Sequence, residues 1–150
     1  MATIKPGLAA ERMLFDALGA LKRGDVRPWV EMFHDDGVME FPYAPPGFPG
    51  RLDGKAAIAE YMRTYPEHLS IERVVRRAVY HCDDVMVAEF ACEATVVTNG
   101  NRFEMNYVGV VKTEGGKVKH YRDYWNPLVA LQAVGGHEAL LAFASKEQRA

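Results

Sequence analysis

The chain has 150 residues, 49% of them hydrophobic and 25% charged, the balance of one ordinary folded domain. A net charge of −2 lacks the basic footprint of nucleic-acid binders, and no apolar run approaches the ~20 residues of a membrane span. Domains of this size bury roughly 68–70% of their unfolded surface, so no disulfide or metal staple is required.

Residues 8–23 carry Leu14, Ala17, Leu18 and Leu21 at helical spacing, and Gly24 supplies a stop. Asp25 has the chemistry of an N-cap for a short second helix, with Pro28 in its first turn and Trp29, Met32 and Phe33 as its buried stripe. Residues 37–41 read as a short strand. It runs into residues 42–50, which hold four of the eight prolines and so exclude both helix and central strand. That segment is expected to be an ordered loop at a pocket rim, with Tyr43 and Phe48 as apolar contacts. A third helix, from Asp53 or Gly54 to about Tyr65, puts Ile58, Tyr61, Met62 and Tyr65 on one face and is closed by Pro66.

From residue 70 the period changes. The runs 71–81, 85–98, 102–113 and 117–126 are rich in Val, Tyr and Phe, and the turns between them include Asn99-Gly100 and Gly115-Gly116. This is the pattern of a four-stranded antiparallel meander. A last helix is expected around 138–146. With no internal repeat or linker, residues 1–150 read as one domain of the α+β class, its helices packed on one sheet face. Strand 102–113 puts Phe103, Met105, Tyr107, Gly109 and Val111 on one face. Its other face, with Asn106, Val108 and Val110, is polar at one end and apolar at the other, which predicts a homodimer joined through the sheet, Tyr124 included. Cys82 and Cys92 lack Cys-x-x-Cys spacing and read as reduced thiols. Together with an N-terminus lacking a signal-peptide core, they predict a cytoplasmic protein.

Three segments carry a family resemblance. Phe33-His-Asp-Asp-Gly-Val-Met-Glu-Phe-Pro42 resembles the helix-to-strand junction of ketosteroid isomerases and SnoaL-like polyketide cyclases, and Leu52-Asp-Gly-Lys-Ala-Ala-Ile-Ala-Glu-Tyr-Met62 the opening of their third helix. Glu114-Gly-Gly-Lys-Val-Lys-His-Tyr-Arg-Asp-Tyr-Trp-Asn-Pro127 is similar to the last hairpin of SnoaL-like domains and, with residues 131–135, to the C-terminal strand of the phenazine-biosynthesis A/B proteins. The resemblance, to the nuclear-transport-factor-2-like superfamily, covers about residues 8–134. It implies a cone of three N-terminal helices on a curved, mainly antiparallel sheet enclosing a pocket. It does not fix the reaction, because the superfamily holds isomerases, cyclases, dehydratases, hydrolases and binders. The isomerase base position is Phe41 here, the oxyanion tyrosine falls near Ala17, and the protonated acid near Tyr107 or Gly109. None is retained. In the phenazine A/B pattern the acid/base glutamate aligns with Asp123, and the helix-three histidine with Tyr61. A single aspartate of SnoaL-like cyclases is also consistent with Asp123.

The residues themselves single out Asp123 as well. It shares a strand face with Tyr121 and Trp125, and if that face looks into the cone, desolvation raises its pKa toward values suited to proton transfer. The competing reading is an arginine salt bridge at a sheet edge. Tyr61 and Tyr65 suit hydrogen bonds to a ligand carbonyl or hydroxyl, though helical spacing equally suits core packing. Phe41, Phe90, Met105 and Tyr107 fit an apolar pocket wall or the same core. The five histidines form no metal-ligand spacing: His34 sits at a helix end, His81 in a turn, His120 on the face opposite Asp123, and His68 and His137 at the surface. Arg73, Arg76 and Arg77 read as a solvated face. No phosphate loop, nucleophile elbow or cofactor motif occurs. The expectation is a cofactor-free acid/base enzyme of isomerase, cyclase or dehydratase type on a small, largely apolar carbonyl compound. The alternative is a non-catalytic small-molecule binder or carrier.

Overall fold

The computed structural model describes residues 5–136 and 138. Helix α1 (Pro6–Lys22) buries Ala10, Leu14, Ala17, Leu18 and Leu21 and packs on strand β3 (Leu69–Cys82). Gly24, at φ +79°, turns the chain, and its N–H donates to the Leu21 carbonyl. Helix α2 (Arg27–Glu31) starts later than Asp25 predicted, with Val26 as N-cap. Asp25 still anchors it from outside: Oδ1 accepts the Arg27 N–H at 3.1 Å in an Asx turn, and the carboxylate binds the Arg27 guanidinium.

Strand β1 (Phe33–Glu40) begins well before Gly37, so Phe33 and His34 are strand residues and not a helix end. The register against β6 (Lys117–Trp125) shifts between Phe33 and Val38, which lets Asp35 and Asp36 face solvent while Phe33 and Met39 are buried. Such a bulge erases the alternation by which a strand is read. The proline segment is the β1–β2 connection, closed by the Phe41 N–H on the Gly50 carbonyl, and β2 (Arg51–Asp53) is a short edge strand. Helix α3 (Lys55–Met62) ends sooner than expected. Pro66 does not close it but sits in the first turn of a separate helix, α4 (Tyr65–His68), where its missing N–H costs nothing. Four helical segments, not three, therefore precede β3.

Strands β3, β4 (Val85–Val96), β5 (Arg102–Glu114) and β6 form the expected antiparallel meander, and β1 joins it parallel to β6. The six-stranded order is β2-β1-β6-β5-β4-β3, so β6 is interior. His81 belongs to β3, and the turn is left to Asp83 and Asp84, with Asp83 at φ +53°. The predicted helix 138–146 lies outside the described residues apart from position 138. A helix does follow β6 directly: α5 (Pro127–Val134), whose N-cap Asn126 accepts the Leu128 N–H at 3.0 Å. Asn99 and Asn101, in the β4–β5 turn, donate to the Ala133 carbonyl at 3.0 and 2.9 Å and tie α5 to the sheet. Among the described residues no helix is long and apolar enough to cross a membrane.

The β1 bulge depends on Gly37. A Cβ there would lie 3.0 Å from the carbonyl oxygens of both His34 and Val118, and backbone oxygens in a paired sheet cannot swing aside. Gly37→Ala is expected to destabilise the fold by about 1–3 kcal/mol in urea melts, the scale of overpacking elsewhere.

Candidate functional site

Because β6 is an interior strand, both of its edges are paired, and its pleat decides which side chains meet the helices. Val118, Tyr121, Asp123 and Trp125 point to the helix side. A register shift between Lys112 and Thr113 reconciles the odd spacing of Val118 and Tyr121. Asp123 lies opposite Gly109 on β5. It lines a cavity of about 130 Å³, and its Oδ1 is buried without a hydrogen-bond partner among the described residues. Among the described residues the salt bridge of the competing reading is not formed: β6 is not an edge strand, and Arg122 falls on the other face. Burial pushes its pKa up to about 7. The residue as a whole is only partly buried, because its remaining surface opens onto the cavity.

The cavity brings together every residue expected at the site: Phe41, Tyr61, Tyr65, Phe90, Met105, Tyr107, Tyr121 and Trp125, with Asp123. One aromatic group joins Phe41, Phe48, Tyr61 and Trp125, with Phe41 to Tyr61 at 5.4 Å and Phe48 to Trp125 at 5.5 Å between ring centroids. A second is the Phe90–Tyr107 stack at 5.2 Å. Trp29 and Tyr121, 5.3 Å apart, form a third. Desolvation holds the Tyr65, Tyr107 and Tyr121 hydroxyls protonated, far above their ordinary range. The proline loop contributes Phe48 to the lining; Tyr43 instead stays exposed and packs on Tyr124 at 5.2 Å.

Sequence reasoning missed several contributors, four of which bear on the character of the site. Trp29 was read only as core. Cys92 shares a β4 face with Phe90, and burial, with the Asp123 charge, pushes its thiol up to about 12, so it is an inert wall. Ala130 and Ala133 reach the cavity from α5, and the signal available was Asn126-Pro127, an N-cap followed by a first-turn proline.

The other candidates lie elsewhere and are engaged. His81 and Arg76 both bind Glu11, whose carboxyl is held low chiefly by the His81 hydrogen bond. Arg77 pairs with Glu104 at 3.3 Å and Arg73 with Glu93 at 3.9 Å. His120 faces away from Asp123 and binds Glu40. His34 Nε2 is 2.6 Å from the Glu114 carbonyl oxygen. His68, expected at the surface, is buried at the end of α4, where its backbone carbonyl accepts the Val97 N–H. His137 lies outside the described residues. Among those residues no group of three or more His, Cys, Asp or Glu is placed to hold a metal.

The sequence profile of the SnoaL-like domain matches residues 12–121, most of the chain and all but the end of β6. The chain belongs to the SnoaL-like domain family. A relative in Pseudomonas aeruginosa strain PAO1, an "uncharacterized PhzA/B-like protein", is 39% identical over 131 residues, covering 87% of this chain and 93% of the other. A Bacillus subtilis crystal structure titled "Putative Isomerase" superposes with a TM-score of 0.85 at 35% identity, over 89% of this chain and 98% of that one. A phenazine biosynthesis-related protein of P. aeruginosa shares the fold, with a TM-score of 0.68, 16% identity, and 88% of each chain covered. Other structures of the fold carry polyketide cyclase and epoxide hydrolase names. Phe41 and Ala17, the residues that the resemblance sets at two of the isomerase positions, are both buried.

The raised Asp123 pKa couples to stability with a definite sign. Below about 3.8 the carboxyl is protonated in folded and unfolded chains alike, and it contributes nothing. Between 3.8 and about 7 the unfolded chain ionises first, so stability falls as pH rises, and above 7 the penalty is constant. Asp123→Asn removes it. The variant is expected to stay within about 1 kcal/mol of the wild type at pH 4 and to exceed it by about 4 kcal/mol at pH 8 in urea melts.

Proposed function

We propose that this SnoaL-like protein is a cofactor-free acid/base enzyme for a small, neutral, largely apolar carbonyl compound, with Asp123 as the group that moves the proton. The observation that carries the reading is a carboxyl oxygen buried in an aromatic cavity without a partner among the described residues, with a pKa of about 7. An ordinary aspartate is too weak a base to meet a carbon acid. Desolvation strengthens it, and at neutral pH both protonation states are populated, so the group that takes a proton from the carbon α to a carbonyl also returns one to another atom. The cavity lining among the described residues includes no Lys, Arg or His, which favours a neutral ligand over an anion. Tyr65 and Tyr107, held protonated by burial, and Tyr61 supply hydroxyls that orient it.

The test is exchange of α-hydrogens for deuterium in small apolar ketones incubated with the protein in D2O. The wild type is expected to catalyse it, with a rate rising through an apparent pKa near 7, and Asp123→Asn to lower it at least about 10²-fold while staying folded. Ketones retained by the wild type without exchange would favour the binder or carrier.

We also propose that two copies pair through the outer face of the sheet. Val108 and Val110 are only partly covered there, and Tyr124 carries the exposed Tyr43 beside them. A standard interface removes roughly 1,600 Å² in total. Sedimentation at micromolar concentration is expected to show a dimer, and Val110→Lys to shift it to monomer.

A further inference from the structure

We infer that Trp29 and Tyr121 form a hydrogen-bond donor pair that holds the oxygen of the ligand, and so restrict the site to molecules presenting an acceptor beside Asp123. The inference rests on the cavity being a ligand site, as proposed above. Three of the side chains lining this one cavity carry a buried polar atom without a partner among the described residues: Trp29 Nε1, Tyr121 Oη and Asp123 Oδ1. Trp29 and Tyr121 are 4% and 0% exposed, too buried for bulk water to repay them. An indole N–H donates and cannot accept, so only an acceptor atom satisfies it. The tyrosine hydroxyl, held protonated by burial, donates as readily.

The two are locked together. Their rings lie 5.3 Å apart, and Phe33 backs Tyr121 at 6.3 Å. The hydroxyl occupies the space above Gly109, where a Cβ would fall 2.8 Å from Oη. Gly109 is the cross-strand partner of Asp123, so the absent side chain leaves room for the Tyr121 hydroxyl over the position paired with the carboxyl. The arrangement therefore lines the same cavity with two donors, the indole N–H and the hydroxyl, and a proton-transfer group. A ketone or aldehyde fits it, oxygen on the donors and α-carbon toward Asp123. A hydrocarbon of the same shape leaves the donors unpaired. Neither residue stands at the positions that Ala17 and Tyr107 or Gly109 occupy in the isomerase comparison, so the chain supplies this chemistry from α2 and from Asp123's own strand.

Matched pairs of ketone and parent hydrocarbon test this directly, from cyclopentanone with cyclopentane up to 1-tetralone with tetralin, by calorimetry or ligand-observed NMR. The wild type is expected to prefer the ketone of the best-fitting pair by about 10-fold or more, two net hydrogen bonds at their usual worth. Tyr121→Phe, which keeps the ring, and Trp29→Phe are each expected to cut that preference about 3- to 10-fold while leaving hydrocarbon affinity within about 2-fold. Gly109→Ala, which displaces the hydroxyl without deleting it, is expected to act like Tyr121→Phe, so the inference survives if Trp29→Phe does not fold. Hydrocarbons bound as well as ketones by the wild type, no binding in either series, or a preference untouched in Tyr121→Phe and Gly109→Ala would overturn it. The Asp123 reading fails separately: a ketone preference that responds to these variants without deuterium exchange leaves the donor pair standing and removes the catalyst. Exchange with an unresponsive preference does the reverse.

Discussion

Removing a carboxyl from water without giving it a cation is among the more costly things a fold does, and that constraint organises the helix side of this sheet. Asp123 tolerates its place by remaining partly protonated at neutral pH, as its pKa of about 7 records, instead of by pairing. The two routes have different consequences. A paired aspartate is fixed in charge and chemically idle; an unpaired one stays available to accept or return a proton. The aromatic groups around it serve both purposes, since Phe41, Phe48, Tyr61 and Trp125 exclude water and at the same time form an apolar wall.

The cavity exists because the helices span the concave side of the sheet without filling it. α1 covers β3 and β4 through Leu14 and Leu18, and Phe15 sets its edge on Phe90 at 6.1 Å. α2 and α3 cover β1, contributing Trp29 from one side and Tyr61 from the other. α5 closes the remaining end with alanines, small enough to leave space beside Ala130 and Ala133. Gly109 makes room of a similar kind within the sheet, and it is occupied by a hydroxyl. Packing faults of this sort are avoided in ordinary cores, where density matches that of organic crystals.

Much of this was legible in the sequence, and the parts that were not share a cause. The meander, the aromatic walls and the environment of Asp123 follow from a period of two, which survives along β4, β5 and most of β6. Where the period breaks, reading fails. The β1 bulge at Gly37 hid the start of that strand, and the shift near Val118 hid the true parity of β6 below Tyr121. Pro66 reads as a stop because its ring cannot continue a helix, yet the same residue is tolerated in a first turn, where it opens α4. His68 gave no sign of burial, since its neighbours Glu67 and Ser70 are polar and no pattern marks a helix four residues long. Trp29 reads correctly as buried; that its indole N–H has no partner among the described residues is a property of elements meeting, which no local pattern carries.

The isolation of Asp123 follows from the pleat more than from distance along the chain. Its strand is rich in cations and their partners: Lys119 bonds Asp36 at 2.6 Å, His120 binds Glu40, and Arg122 is the residue next to Asp123 itself. A β-strand sends adjacent side chains to opposite faces, so Arg122 and His120 stand on the outer side with Glu40, while Asp123 faces the helices alone. A slip of one residue in β6 would reverse this, putting a guanidinium among the aromatics and the carboxyl outside. The register is held by Tyr121 and Val118, both fully buried, and by the β1 and β5 ladders on either side. The hydrophobic core thus fixes which charge stands at the site: uncharged residues determine that the carboxyl, and not the guanidinium, faces the cavity.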